Sequence, residues 1–128
     1  MQPNTHLLID RNLCGTPVSL GPGKSRIDMK ALPQMAVDEK GLVHGGFVFG
    51  LADYAAMLAV NDPYVVLGGA SVKFLKPVKI GDKLTCDAET VESDGKKKIV
   101  SVKVVCEGKS VFEGEFYCYV LPVHVLDR

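Results

Sequence analysis

A two-layer α+β domain, one buried helix laid against one antiparallel sheet, is what this 128-residue sequence predicts. Three observations carry that expectation. The stretch from His44 to Asn61 has helical spacing and is apolar on nearly every side, so it is buried on nearly every side. Four alternating stretches follow it across short turns, and short connections demand antiparallel neighbours. One extended stretch precedes it. A helix covered all round needs either a sheet that curls about it or a second subunit that closes over it.

Residues 1–23 carry three prolines and three glycines and read as an arm packed on a single domain that spans 1–128. From Lys24 to Val37 the chain is extended and partly alternating, with Pro33 marking an irregularity. Asp38-Glu39-Lys40-Gly41 is a polar turn that delivers the chain to His44. In the helix, Phe47, Leu51, Tyr54, Ala55 and Leu58 form a core stripe, and Asp62-Pro63 ends the pattern. The opposite stripe holds Gly46, Phe49, Gly50, Asp53, Ala56, Met57 and Val60. Beyond it, Tyr64–Leu67 and Ala70–Leu75 read as strand, with Gly68-Gly69 as a bend or bulge. Pro77 and Ile80-Gly81-Asp82 make a break. Lys83–Glu92, Lys98–Cys106 and Val111–Leu121 are three further strands, the first two joined through Asp94-Gly95, a strong hairpin signal.

Composition narrows the function classes. Fifteen basic and fifteen acidic residues cancel, which gives no electrostatic case for non-specific nucleic-acid binding. No apolar run reaches the length of a membrane span, and the first residues lack a signal-peptide layout, so a cytoplasmic location is the expectation. Cys14, Cys86, Cys106 and Cys118 are widely spread with no Cys-x-x-Cys pair, and His6, His44 and His124 are too scattered for a metal cluster. No metal or cofactor is expected.

The candidate chemistry sits on the helix. Asp53 is its single formal charge, and ionised carboxylates do not lie in apolar surroundings without a partner or a task. It is either a structural carboxylate paired with a lysine or arginine, or a catalytic base. His44-Gly45-Gly46 stands at the helix start, where unpaired N–H groups meet the positive end of the dipole. The glycines either serve a tight turn or let a carbonyl oxygen reach the backbone as in an oxyanion hole. His44 either orients a substrate or caps the turn. Gly45 and Asp53 are separated by roughly 12 Å along one helix axis, so one carbonyl group meets both only across a dimer. Lys73, Lys76 and Lys79 flank Pro77 and are either solvated or phosphate-binding.

These residues resemble a known family, the hotdog-fold acyl-CoA thioesterases and in particular the phenylacetic-acid-pathway type. The shared pattern is His44-Gly45-Gly46, six residues, then Asp53. A second is Phe74-Leu75-Lys76-Pro77-Val78-Lys79-Ile80-Gly81-Asp82, similar to the family's aromatic-Leu-basic-Pro and Gly-Asp turn. The resemblance implies a curved antiparallel sheet of five or six strands around one long central helix, homodimers that often pair into homotetramers, and active sites between subunits. It implies Asp53 as nucleophile or base, the Gly45 N–H as the oxyanion donor, and His44 as a positioning group. Gly46, Asp38, Ser71, Lys73 and Lys76 would line the substrate, an acyl- or aryl-coenzyme A. Asp38 stands where the family commonly has asparagine, and Leu67 where it has Ser or Thr. Those departures favour an alternative, a non-catalytic acyl-CoA-binding module of the same fold. A hotdog hydratase would need a histidine and acid arrangement that is not present, and a pure assembly protein would need a cation against Asp53.

Overall fold

The computed structural model describes residues 1–128. A single helical turn, α1 (Arg11–Cys14), leads into a hairpin of β1 (Thr16–Gly21) and β2 (Lys24–Lys30). A 3-10 turn at Pro33–Met35 and a loop then deliver the long helix α2 (Gly45–Val60). Four strands follow: β3 (Val65–Phe74), β4 (Lys83–Asp94), β5 (Lys97–Cys106) and β6 (Lys109–Val120). All six strands form one antiparallel sheet in the order β1-β2-β4-β5-β6-β3.

The sheet wraps the helix. Ile27 and Met29 of β2, Leu84, Cys86 and Ala88 of β4, Val100, Val102 and Val104 of β5, and Phe112, Phe116 and Cys118 of β6 alternate inward and are buried with α2 in one core. Every contact α2 makes with a strand is with this concave face. Leu51, Tyr54, Ala55 and Leu58 are buried as their spacing predicts, and so are Ala56 and Met57. Gly46, Phe49, Gly50, Asp53 and Val60 keep some contact with solvent, a stripe that the sheet leaves uncovered. One polar tie crosses the core: the buried Ser25 hydroxyl of β2 donates to the Ala55 carbonyl of α2 at 2.6 Å.

The turns follow their chemistry. Gly95 (φ 60°) opens the two-residue link between β4 and β5, so Asp94 is the last paired strand residue rather than part of the turn. Glu107 (φ 51°) and Gly108 (φ 77°) make the β5–β6 link. Gly68 marks the register shift in β3, where the Tyr119 ring lies over the vacant Cβ position.

Residues 16–21 differ from the expectation of an arm. They are strand β1, because Pro22-Gly23, with Gly23 at φ 70°, turns the chain back antiparallel and pairs Gly21 with Lys24. Pro17 is accommodated because β1 is an edge strand with a register shift beside it. Residues 1–10 do lie on the domain as an arm. Asn61, the left-handed C-cap of α2, holds it: Asn61 Oδ1 accepts from the Asn4 N–H at 2.7 Å, and Asn61 Nδ2 donates to the Gln2 carbonyl at 2.9 Å.

Where β6 bends past β3, a Cβ on Gly114 would stand 2.6 Å from the Ser71 carbonyl oxygen. The obstacle is backbone, which cannot swing aside. Gly114→Ala is therefore expected to destabilise the domain by about 1–3 kcal/mol, read as a fall of several degrees in Tm by thermal denaturation.

Candidate active site

The site begins with the start of α2. His44 is the N-cap residue, with extended backbone and no side-chain capping bond. Its own N–H is bound to the Met35 carbonyl at 2.9 Å, and its carbonyl accepts from the Phe47 N–H at 3.1 Å. The Gly45 and Gly46 N–H groups donate to nothing within the chain, as the first turn of a helix requires. The exposed His44 ring packs edge-on to Phe47, 6.1 Å between centroids, and lies where a Cβ on Gly46 would stand. Both glycines are tightly placed: a Cβ on Gly45 would be 3.2 Å from the Phe74 ring.

Two clefts meet beside that terminus. One of about 200 Å³ opens at Gly45, walled by Val43, Val48, Phe74, Leu75 and Val78. Lys76, Pro77 and Val78 are shared with a second cleft of about 380 Å³, where Lys40, Lys79 and Lys109 join Lys76, facing Asp82 and Glu107. Sequence reasoning missed Lys40 and Lys109. They come from distant segments, and only the bridges Ala36–Val43 and Leu42–Lys79 bring the first of them beside the Pro77 turn. A larger depression of about 550 Å³ lies on the outer face of the sheet among Lys24, Arg26, Asp87, Glu89 and Lys103. It is far from the helix, and its central groups are spent on the Arg26–Asp87 ion pair at 2.7 Å.

Asp53 lies two turns further along α2, on the uncovered stripe. Its Oδ1 is buried with no hydrogen-bond partner, and no cation lies within ion-pairing distance. Burial pushes its carboxyl up to about 6 from an ordinary value of 3.8. The thiol of Cys14 is raised by burial first and then by the Asp10 and Asp53 charges, and that of Cys118 by burial first and then by the Asp53 charge. Both are protonated at neutral pH, and all four cysteines are free.

The remaining candidates are placed elsewhere. Asp38 is exposed in the loop before α2, where its Oδ1 accepts from the Lys40 and Leu42 N–H groups at 3.0 and 3.2 Å. It shapes that loop. Ser71 and Lys73 pair with Glu115 and Glu113 and share their outward face, opposite to α2. The structure does not bring them to the helix start of their own chain, because the bulge at Gly68 adds one residue and reverses the faces of those after it. Leu67 pairs with buried Cys118 and so faces inward, on the Asp53 side of the sheet. Of the lysines flanking Pro77, Lys76 and Lys79 line the clefts and Lys73 does not.

A six-stranded antiparallel sheet curved about one long helix is the hotdog fold, and the comparisons agree with it. Residues 40–113 match the thioesterase superfamily, and the chain belongs to that family. Over 117 residues it is 53% identical to a methylthioribose-1-phosphate isomerase of Aquifex aeolicus, covering 91% of this chain and 26% of that protein. Over 122 residues it is 29% identical to the transcription factor FapR of Caldanaerobacter subterraneus, covering 94% of this chain and 61% of that protein. The chain therefore spans about a quarter of the first relative and about three fifths of the second. Among solved structures, an uncharacterized protein of Pyrococcus horikoshii superposes with a TM-score of 0.98 at 58% identity, covering 99% of this chain and 98% of that one. A mutant of the phenylacetic acid degradation protein PaaI of Thermus thermophilus superposes with a TM-score of 0.78 at 27% identity, covering 85% and 95%.

The Asp53 carboxyl binds its proton more tightly in the folded chain than in the unfolded one. Its charge thus penalises folding as pH rises from 3.8 through about 6, and the penalty is complete above that range. Its upper bound is about 3 kcal/mol, reduced by the water that still reaches the group. Asp53→Asn is expected to melt above the parent at pH 8, with the difference shrinking as pH falls toward 4. Thermal melts at both pH values check it.

Proposed function

We propose that the chain is an acyl- or aryl-coenzyme A thioesterase acting as a homodimer. The observation that carries this reading is the Asp53 carboxylate, partly buried, without a cation and without a donor for Oδ1. A structural carboxylate would have found a partner. A base for water needs its lone pair free and its proton affinity raised, and burial supplies that. In the proposed complex the thioester oxygen accepts from the Gly45 N–H at the positive end of α2, with Gly46 leaving room and His44 beside the sulfur. Asp53 of the second copy takes a proton from water as the water oxygen bonds to the carbonyl carbon. The tetrahedral oxyanion is held at the helix start. It collapses with loss of the C–S bond, and the departing thiolate receives the proton from Asp53. Free acid and coenzyme A leave, and no metal or other cofactor takes part.

The dimer is required by distance, since roughly 12 Å of helix separates donor and base in one copy. The two sheet edges support a route to it. Both edge strands carry a register shift, but β1 is also interrupted by Pro17, whereas β3 offers ten residues without a proline. The phosphates of the carrier would meet Lys76 together with Lys40, Lys79 and Lys109.

The likeness to FapR, with Asp38 and Leu67 in place of the family's usual polar residues, favours a second reading: an acyl-CoA-binding module without turnover. The isomerase activity of the Aquifex relative is not assigned to this domain, which matches only a quarter of that protein.

Thiol release from a panel of acyl- and aryl-CoA esters separates the two readings. Turnover by the parent is expected, with kcat reduced about 100-fold or more in Asp53→Asn. Tight binding with no thiol released by the parent would establish the module instead. Because the charged carboxylate is the active form, kcat/KM should rise with pH through about 6 and level off above it. Lys79→Gln and Lys109→Gln together should raise KM for CoA esters about three- to tenfold while leaving that for acyl-pantetheine esters, which lack the phosphates, unchanged.

A further inference from the structure

We infer that Phe74 fixes the size of the acyl group that can reach the Gly45 amide, and so is a specificity residue of this site. The inference rests on the thioesterase reading for the identity of the ligand, and on geometry for everything else.

Phe74 is the last residue of β3 and points to the concave side, paired with the fully buried Phe112. Its ring stands edge-on to Phe112, 5.0 Å between centroids at 77°. Phe112 in turn packs against Phe49 and Phe116, at 6.5 and 6.3 Å. Phe74 is therefore backed by rigid aromatic packing, yet 55% of its surface is open. An aromatic ring held by the core and left half exposed presents a fixed apolar wall, not a mobile lid.

That wall stands at the amide. The ring edge would be 3.2 Å from a Cβ on Gly45, so it lies against the Gly45 backbone itself. It lines the cleft of about 200 Å³ together with Gly45, Val43 and Val48. The inner walls, Val43, Val48 and Val78, are each at most 5% exposed and cannot retreat without cost, while Leu75, Lys76 and Pro77 form the exposed outer rim. Phe74 is the side chain that stands against Gly45, since the three atoms nearest a Cβ there all belong to its ring, so its replacement changes the width of the cleft at the amide. A smaller residue lengthens the space toward Phe112, and a larger one closes it onto the Gly45 N–H.

The test is a matched pair of variants in opposite directions. Phe74→Ala and Phe74→Trp are compared with the parent across a series of acyl-CoA esters from acetyl to long-chain and aryl. In Phe74→Ala the ratio of kcat/KM for the bulkiest accepted ester to that for the smallest is expected to rise tenfold or more, and in Phe74→Trp to fall by a similar factor, the range that one or two methylenes command in an apolar pocket. A purely structural role for Phe74 would lower turnover of every ester together. An unchanged ratio in both variants, with folding verified by thermal melts, overturns the inference. Binding of non-hydrolysable S-alkyl-CoA ethers by calorimetry reads the same size ranking without catalysis. A protein that hydrolyses nothing but shows the shifted ranking retains the role of Phe74 and loses the thioesterase reading. One that hydrolyses with no shift retains the thioesterase reading and loses Phe74.

Discussion

A helix with no polar face has to be enclosed, and the whole domain is the means of enclosing α2. The sheet needs six strands and a strong curvature to reach round it, which is why inward positions on β2, β4, β5 and β6 are aliphatic or aromatic almost without exception. Enclosure stops short at one stripe. Gly46, Phe49, Gly50, Asp53 and Val60 keep part of their surface open although Phe49 packs on Phe112 and Phe116, and the only charge on the helix is among them. Leaving a buried oxygen without a donor costs on the order of 1–3 kcal/mol, a large share of the stability of a domain this size. A chain that can place apolar residues at nearly every other position of α2 retains this one against its own stability.

The cost and the reactivity have one cause. Desolvation alone raises the Asp53 carboxyl to about 6, with no neighbouring carboxylate involved. The raised proton affinity that the proposed role as a base requires is the same quantity that penalises the charge of the group in the folded chain. A nearby lysine or arginine would cancel both. The lysines of the molecule are instead gathered elsewhere, at the Pro77 turn and along the outer sheet face, where Arg26 pairs with Asp87. The separation of cations from the uncovered stripe is what keeps the carboxylate unpaired.

Much of this was legible in the chain of letters, and the exceptions have identifiable causes. The helix was bounded by Gly45-Gly46 and Asp62-Pro63, and the β4–β5 and β5–β6 hairpins by Asp94-Gly95 and Glu107-Gly108, because each of those residues imposes a local backbone geometry that tertiary contacts rarely override. Strand β1 was not legible: Pro17, Gly21, Pro22 and Gly23 suggest irregular chain, and only the pairing with β2 shows that the first lies on a tolerant edge and the last two form a tight turn. The face on which Ser71 and Lys73 lie was not legible. Gly68-Gly69 announced a bulge, but whether one residue or none is inserted decides the face of every residue up to Phe74, and that is set by how Leu67 and Gly69 meet β6. The basic cleft assembles Lys40, Lys79 and Lys109 from three segments, a convergence that no local pattern encodes.

The bulge has a consequence beyond bookkeeping of faces. With the extra residue at Gly68, Phe74 turns inward to meet Phe112 and the Gly45 backbone, and Lys73 turns outward to meet Glu113. Without it the lysine would point at the helix start and the phenylalanine at solvent. A lysine there would set a positive charge beside amides that are otherwise unpaired. One glycine, permitted because the Tyr119 ring occupies the space a Cβ would need, thus decides that the wall of the cleft is aromatic and neutral. The helix start then presents the Gly45 and Gly46 N–H groups beside an apolar wall, donors that do not titrate.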